Sequence, residues 1–192
     1  MAMPATERRW TREEVLDLIA CNPLSTPRYE VVDGVLLVTP APSYAHQRAV
    51  GLMFRLLCNY LDREPALGEA FISPADVMPE QGVSVAPDVF VIPAAEANRI
   101  ITSGPARRLI LAVEMLSPGD RSGDRTRKRK LYQRTVPEYW IVDSDQRHVE
   151  LWRPEFSAAV VHADRLEWHP DGASTPFVLD LRWYFATVNR NR

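Results

Sequence analysis

Two carboxylates interrupt runs that are otherwise apolar: Asp88 within VSVAPDVFVI (83–92) and Glu114 within LILAVEML (109–116). An ionised carboxylate buried without compensation costs on the order of several kcal/mol, so each group must be paired, protonated or bound to a cation. Two convergent carboxylates suit a hard cation, because Mg²⁺ is held by one or two carboxylates together with waters and substrate phosphates. The competing reading makes them strand-end charges or salt-bridge partners, and these two residues alone do not decide between the two.

Position is therefore the next question. Both runs are short, rich in Val and Ile, bounded by Gly, Pro and Ser, and too unbroken for half-solvated strands, so they read as strands covered on both faces. If they pair antiparallel across the connection 93–108, Asp88 lies five residues before it and Glu114 six after it, which brings them together on adjacent strands. Residues 120–135 follow as a polar, basic stretch without Pro, a helix with Asp120 or Ser122 near its start. Asp124, Lys128 and Tyr132 fall at i, i+4 and i+8 and line one face of it, where Asp124 can pair with Lys128.

The remaining elements frame these three. Thr11 to Glu14 has capping-box spacing and opens a helix to about Ala20. YEVVDGVLLVT (29–39) is a hairpin turning at Asp33-Gly34, with Glu30 in its first strand. Ser43 caps a largely buried helix to about Arg63, with His46 in its first turn. A lone histidine there reads as structural or exposed, and no HExxH or CxxC spacing supports zinc. Phe71–Val77 reads as a strand, Ala94–Asn98 as a turn of helix, and YWIVD (139–143) as a strand parallel to 109–116 after a helical crossover. His148–Trp152 is a further strand, and the segment through VLDLRWYF reads as edge strands and a closing segment.

Composition bounds the function classes. The 192 residues, 46% hydrophobic and 25% charged, suit one globular α/β domain over 1–192. Net charge is only −2, yet 120–134 carries seven Lys or Arg against two Asp. Such a patch faces an anionic partner, unless it is only a solvated helix face. Cys21 and Cys58 form no disulfide framework, and Cys58 reads as a buried thiol. There is no hydrophobic signal region and no apolar run of ~18 residues, so a cytoplasmic protein with no membrane partner is expected.

In this order the motifs resemble a known family. PD at 87–88, Glu114 followed by LSP at 116–118, Asp124/Lys128/Tyr132, and VPEYWIVD at 136–143 look like the Uma-type restriction-endonuclease family, within the PD-(D/E)XK nuclease superfamily. The hairpin YEVVDG and the segment PAPSYAHQ fit its N-terminal half, so the resemblance covers about 28–153. It implies a restriction-endonuclease-like α/β (α+β) fold: a central mixed sheet flanked by helices, here with an N-terminal helix and hairpin and extra C-terminal strands.

The implied activity is metal-dependent hydrolysis of DNA phosphodiesters, with Asp88 and Glu114 holding Mg²⁺ or Mn²⁺. The superfamily's strand Lys would stand at Leu116, which cannot stabilise charge, and the role moves to Lys128 on the following helix. Lys130 faces roughly the opposite side. Glu30 matches the hairpin Glu of the family and is a further ligand, a base for the water, or an exposed strand charge. Thr135 stands where relatives carry Gly, a change confined to a turn. Arg125, Arg127, Arg129 and Lys130 are the phosphate contacts of the basic helix, in a monomer or a homodimer. His46, Asp124 (paired with Lys128 or reaching the metal) and Tyr132 (contacting phosphate or packing in the core) complete the set, whereas Glu138 and Trp140 read as structural. The rival reading is a catalytically inactive nucleic-acid-binding or interaction protein on the same scaffold.

Overall fold

A computed structural model describes residues 8–22, 24, 26–117 and 122–190. Its elements run α1 (Arg12–Cys21), β1 (Arg28–Val32), β2 (Val35–Thr39), α2 (Tyr44–Leu61), β3 (Gly68–Ile72), β4 (Val89–Pro93), α3 (Ala94–Ser103) and β5 (Leu111–Met115). They continue with α4 (Ser122–Thr135), β6 (Tyr139–Asp143), β7 (His148–Trp152), β8 (Val160–His162), β9 (Arg165–Trp168), β10 (Phe177–Asp180) and α5 (Leu181–Val188). Six strands form one mixed sheet in the order β3-β4-β5-β6-β7-β8, with β5 and β6 parallel and the other neighbours antiparallel.

Both faces of this sheet are covered. Val89, Val91, Leu111 and Val113 point into a core shared with α2, α5 and β9–β10. Their neighbours Phe90, Ile92 and Ala112 point the other way, into a core shared with Val32 and Leu37 of the hairpin, Ala97 of α3, and Leu131 and Tyr132 of α4. The unbroken apolar sequence of β4 and β5 follows from this two-sided burial.

Local signals act as their chemistry requires. Thr11 Oγ1 accepts from Glu14 N while Glu14 Oε2 accepts from Thr11 N, a reciprocal capping box. Asp33 (φ 51°) and Gly34 (φ 76°) provide the two left-handed residues of a tight hairpin turn. Ser43 Oγ accepts from His46 N and starts α2.

Several boundaries differ from expectation. The strand placed at 71–77 is β3 at Gly68–Ile72, set by pairing with β4. Asp88 precedes β4 instead of lying within it, because Ser84 and Val85 bridge to Val31 and Val77. The turn of helix near 94 continues as α3 to Ser103. The closing segment LRWYF is helical: Asp180 ends β10 and caps α5 by accepting from Trp183 N, a helix not expected from the sequence. Cys58 is half-buried, not buried. Pro118, Gly119 and Asp120, expected to end β5 and open α4, lie outside the described residues.

Candidate active site

The register of β4 on β5 sets the two carboxylates facing one another. Val89 pairs with Val113, so Asp88 and Glu114, one residue further out on each strand, stand opposite. Side chains alternate along a strand, so Asp88 shares the face of Phe90 and Glu114 that of Ala112, toward α4 and the hairpin. Asp88 Oδ2 accepts a 2.9 Å hydrogen bond from Met115 N, which ties the two strand ends. Burial opposes ionisation of Asp88, but His46, Arg28 and the Met115 N–H outweigh it and hold the carboxyl below its ordinary range.

Lys128 enters this face from α4. Its Nζ lies 2.8 Å from Glu114 Oε1 and 2.9 Å from Glu30 Oε2. Burial works against the ammonium, yet the two carboxylates more than offset it and raise its pKa. Glu30 is 1% exposed and accepts from Ala86 N at 2.8 Å, so its reading as an exposed strand charge is overturned. The hairpin buries it because Val31 bridges to Ser84 and holds β1 against the segment leading to β4. The pairing expected between Asp124 and Lys128 gives way to these two contacts, while Asp124 lines the same cavity.

Glu114 is the least compensated of the three acids. Burial pushes its pKa up to about 7, with Asp88 and Glu30 adding to the shift and Lys128 opposing it. Tyr132 is fully buried and donates to Glu114 Oε1 over 3.4 Å. Its ring packs against Tyr139, so Tyr132 supports Glu114 from the core.

Two further residues complete the cluster. His46 Nε2 lies 3.3 Å from Asp88 Oδ1 and its Nδ1 lies 3.0 Å from Ser117 Oγ, so the histidine is neither exposed nor isolated. Arg28 was not anticipated. Its Nη1 lies 3.6 Å from Asp88 Oδ1, its Nε 3.6 Å from Glu30 Oε2, and Nη1 donates to Ser73 Oγ at 2.6 Å. Its position two residues before Glu30 on one strand places both on one face, a signal present in the sequence. A cavity of about 610 Å³ opens onto Arg28, His46, Asp88, Glu114 and Lys128 and is also lined by Leu37–Pro42.

The arginines of α4 divide in two. Arg125 contacts Glu150 at 2.6 Å, and Arg129 donates to Gln133 and stacks over Trp152. Lys130 is exposed, and Arg127 is half-exposed. Glu138 accepts from Trp140 Nε1 and Arg153, and the indole is fully buried; both act in packing.

Among the described residues no three His, Cys, Asp or Glu side chains form a ready metal cage. Asp88 and Glu114 nonetheless supply hard oxygen donors on adjacent strands, the set Mg²⁺ accepts when water and substrate fill its other positions. Two observations bear on the fit: burial raises the Glu114 pKa to about 7, a shift that a bound cation would oppose, and Glu30 Oε2, though beside Lys128, is buried without a well-aligned hydrogen bond. The donor chemistry fits a divalent cation.

No helix among the described residues is long and apolar enough to cross a membrane. No curated protein matches the chain. Among solved structures it is similar to one titled as a putative nuclease belonging to DUF820 from Anabaena variabilis ATCC 29413. The TM-score is 0.70 at 18% identity, over 91% of this chain and 98% of the other, which shows a shared fold. A family profile matches residues 12–181, which contain the whole six-stranded sheet and α1 to α4, and on that match the chain belongs to the Uma2 family, described as "putative restriction endonuclease".

Proposed function

We propose that the protein is a Mg²⁺-dependent DNA endonuclease, with Mn²⁺ as an alternative cation. The observation that carries this reading is Lys128 Nζ set between Glu114 and Glu30, in a cavity that Asp88 also lines. The family description supports a nucleic-acid substrate.

In this reading Asp88 and Glu114 would hold the cation, which polarises the scissile phosphate and lowers the pKa of water when bound. The residues of the chain do the rest. Met115 N–H and His46 fix the Asp88 carboxylate in place. Lys128, held by two carboxylates, presents an ammonium where charge develops on the phosphoryl oxygens as water oxygen adds to phosphorus and the P–O ester bond breaks. Glu30, 2.9 Å from Lys128 Nζ, keeps that ammonium in position. Phosphate contacts from the basic helix give salt-sensitive binding with little sequence information.

The test is nicking of supercoiled plasmid in Mg²⁺ by wild type, Asp88→Ala and Glu114→Ala. Nicking by wild type alone supports the reading. Equal nicking by both variants removes the site, and salt-sensitive DNA binding with no nicking by wild type favours a binding protein on this scaffold.

A further inference from the structure

Arg28 has donors to spare at the centre of the site. A guanidinium carries five N–H groups, and among the described residues one hydrogen bond uses them, Nη1 to Ser73 Oγ. Nε is buried without a hydrogen-bond partner. Glu30 and Asp88 each stand 3.6 Å away, near enough to balance the charge but too far to accept a hydrogen bond.

An arginine serving only to neutralise a carboxylate closes on it as a fork. Arg134 does so in this molecule, with Nε and Nη2 at 2.8 and 2.7 Å from the two oxygens of Glu80. Arg28 instead is pinned by Ser73 between two carboxylates, with its side chain 18% exposed to the cavity that Asp88, Glu114 and Lys128 line. Ser73 Oγ is itself directed to Ala86 O at 3.4 Å, which fixes the anchor.

We propose that Arg28 is a substrate-contacting residue, whose guanidinium takes the non-bridging oxygens of the phosphodiester seated over Asp88 and Lys128. The proposal rests on the nuclease reading for the identity of the phosphodiester. A planar fork matches the spacing of two phosphate oxygens, and an ammonium at the same place does not. Arg28 thus completes a ring in which Lys128 approaches from α4 and the guanidinium from β1.

The test uses the full chain and a 25-base-pair DNA duplex. Affinity is measured in EDTA across salt concentrations for wild type, Arg28→Met and Arg28→Lys, and nicking is measured in Mg²⁺. Loss of one phosphate contact lowers the slope of log affinity against log salt by about one in Arg28→Met. Arg28→Lys keeps that slope, with kcat down on the order of tenfold or more because the fork is lost. A wild-type slope in a folded Arg28→Met that accompanies wild-type nicking overturns the role of Arg28 and leaves the nuclease reading intact. An Arg28-dependent slope without wild-type nicking keeps the contact and removes the nuclease. No duplex binding by wild type overturns both. Should Arg28→Met fail to fold, wild-type affinity and kcat in Arg28→Lys overturn the role of Arg28.

Discussion

Lys128 Nζ on α4 reaches Glu114 Oε1 on β5 across 2.8 Å, although the two residues are 14 apart in the chain. The contact delivers a cation to the strand face on which Leu116 stands with no charge to offer. A strand Lys at 116 would have been fixed by the sheet alone, whereas Lys128 depends on where α4 packs. Tyr132, one turn further along α4 and fully buried, provides that fixing: its ring lies 4.9 Å from that of Tyr139 on β6. Helix position and acid position are thus set by one core.

This dependence predicts a cost for removing the ammonium. Lys128→Met leaves Glu114 and Glu30 facing each other, and breaking one partner out of a buried pair costs about 3–5 kcal/mol. Lys130→Ala, on the exposed side, changes stability by less than about 0.5 kcal/mol. Urea midpoints separate the two, and equal midpoints would mean that Lys128 is not paired in solution. Nicking follows the same order, with a loss on the order of 10²-fold for Lys128→Ala. A greater loss in Lys130→Ala would place the substrate on the opposite side of α4.

Glu114 makes a second prediction, with a sign that distinguishes it from Asp88. Its ordinary value of 4.5 rises to about 7 in the fold, so between these values the native state binds more protons than the unfolded chain. Stability contributed here falls as pH rises through that window. Asp88, lowered from 3.8, contributes stability that is present above its ordinary value and lost as pH falls through its folded value. Denaturant midpoints from pH 4.5 to 8 should decline in wild type and decline less steeply in Glu114→Gln, where the raised pKa values of His46 and Glu138 keep part of the slope. An unchanged decline in the variant would assign the effect to another group.

Much of this site was legible because its signals are local or follow strand periodicity. The Asp33-Gly34 turn needs two left-handed residues, and the apolar runs around Asp88 and Glu114 need two covered faces, so hairpin, strands and acid pair follow from residue types. Arg28 and Glu30 can be placed on one strand face from the sequence, but the burial of that face was not legible, because which hairpin face is covered depends on Val31 meeting Ser84, a contact 53 residues distant. His46 shows the same limit: its helix cap could be read, but its reach to Asp88 depends on how α2 crosses the strand ends. The stretch through VLDLRWYF was read as edge strands and a closing segment without a helix, because a short apolar run fits both periodicities. The Asp180 cap was the available signal for a helix.

Metal binding is a third outcome to measure, by calorimetry with Mg²⁺ and Mn²⁺ in the absence of DNA. Asp88→Ala, Glu114→Ala together should abolish the heat of binding, because no third acid completes a cage among the described residues. Wild-type binding should weaken as pH falls below about 7, where Glu114 takes up its proton and competes with the cation. Binding that persists in the double variant would locate the cation elsewhere.

The division among the cations of α4 gives the last prediction. Arg125 is held by Glu150 at 2.6 Å, and Arg129 is held over the Trp152 ring at 4.5 Å, so neither can reach a phosphate without surrendering a contact within the protein. Among the described residues Arg127 and Lys130 show no such tie, and Lys130 is exposed. Each phosphate neutralised by such a side chain adds about 0.9 to the slope of log affinity against log salt on duplex DNA. Arg127→Ala and Lys130→Ala should therefore each lower the slope for a 25-base-pair duplex, with little effect on the urea midpoint. Arg129→Ala should do the reverse, lowering the midpoint through lost stacking, worth about 0.5–1 kcal/mol at a partly exposed site, while leaving the slope unchanged. A slope that falls only in Arg125→Ala and Arg129→Ala would mean that DNA displaces Glu150 and Trp152 from them, and that the helix presents its Glu150 side to the duplex.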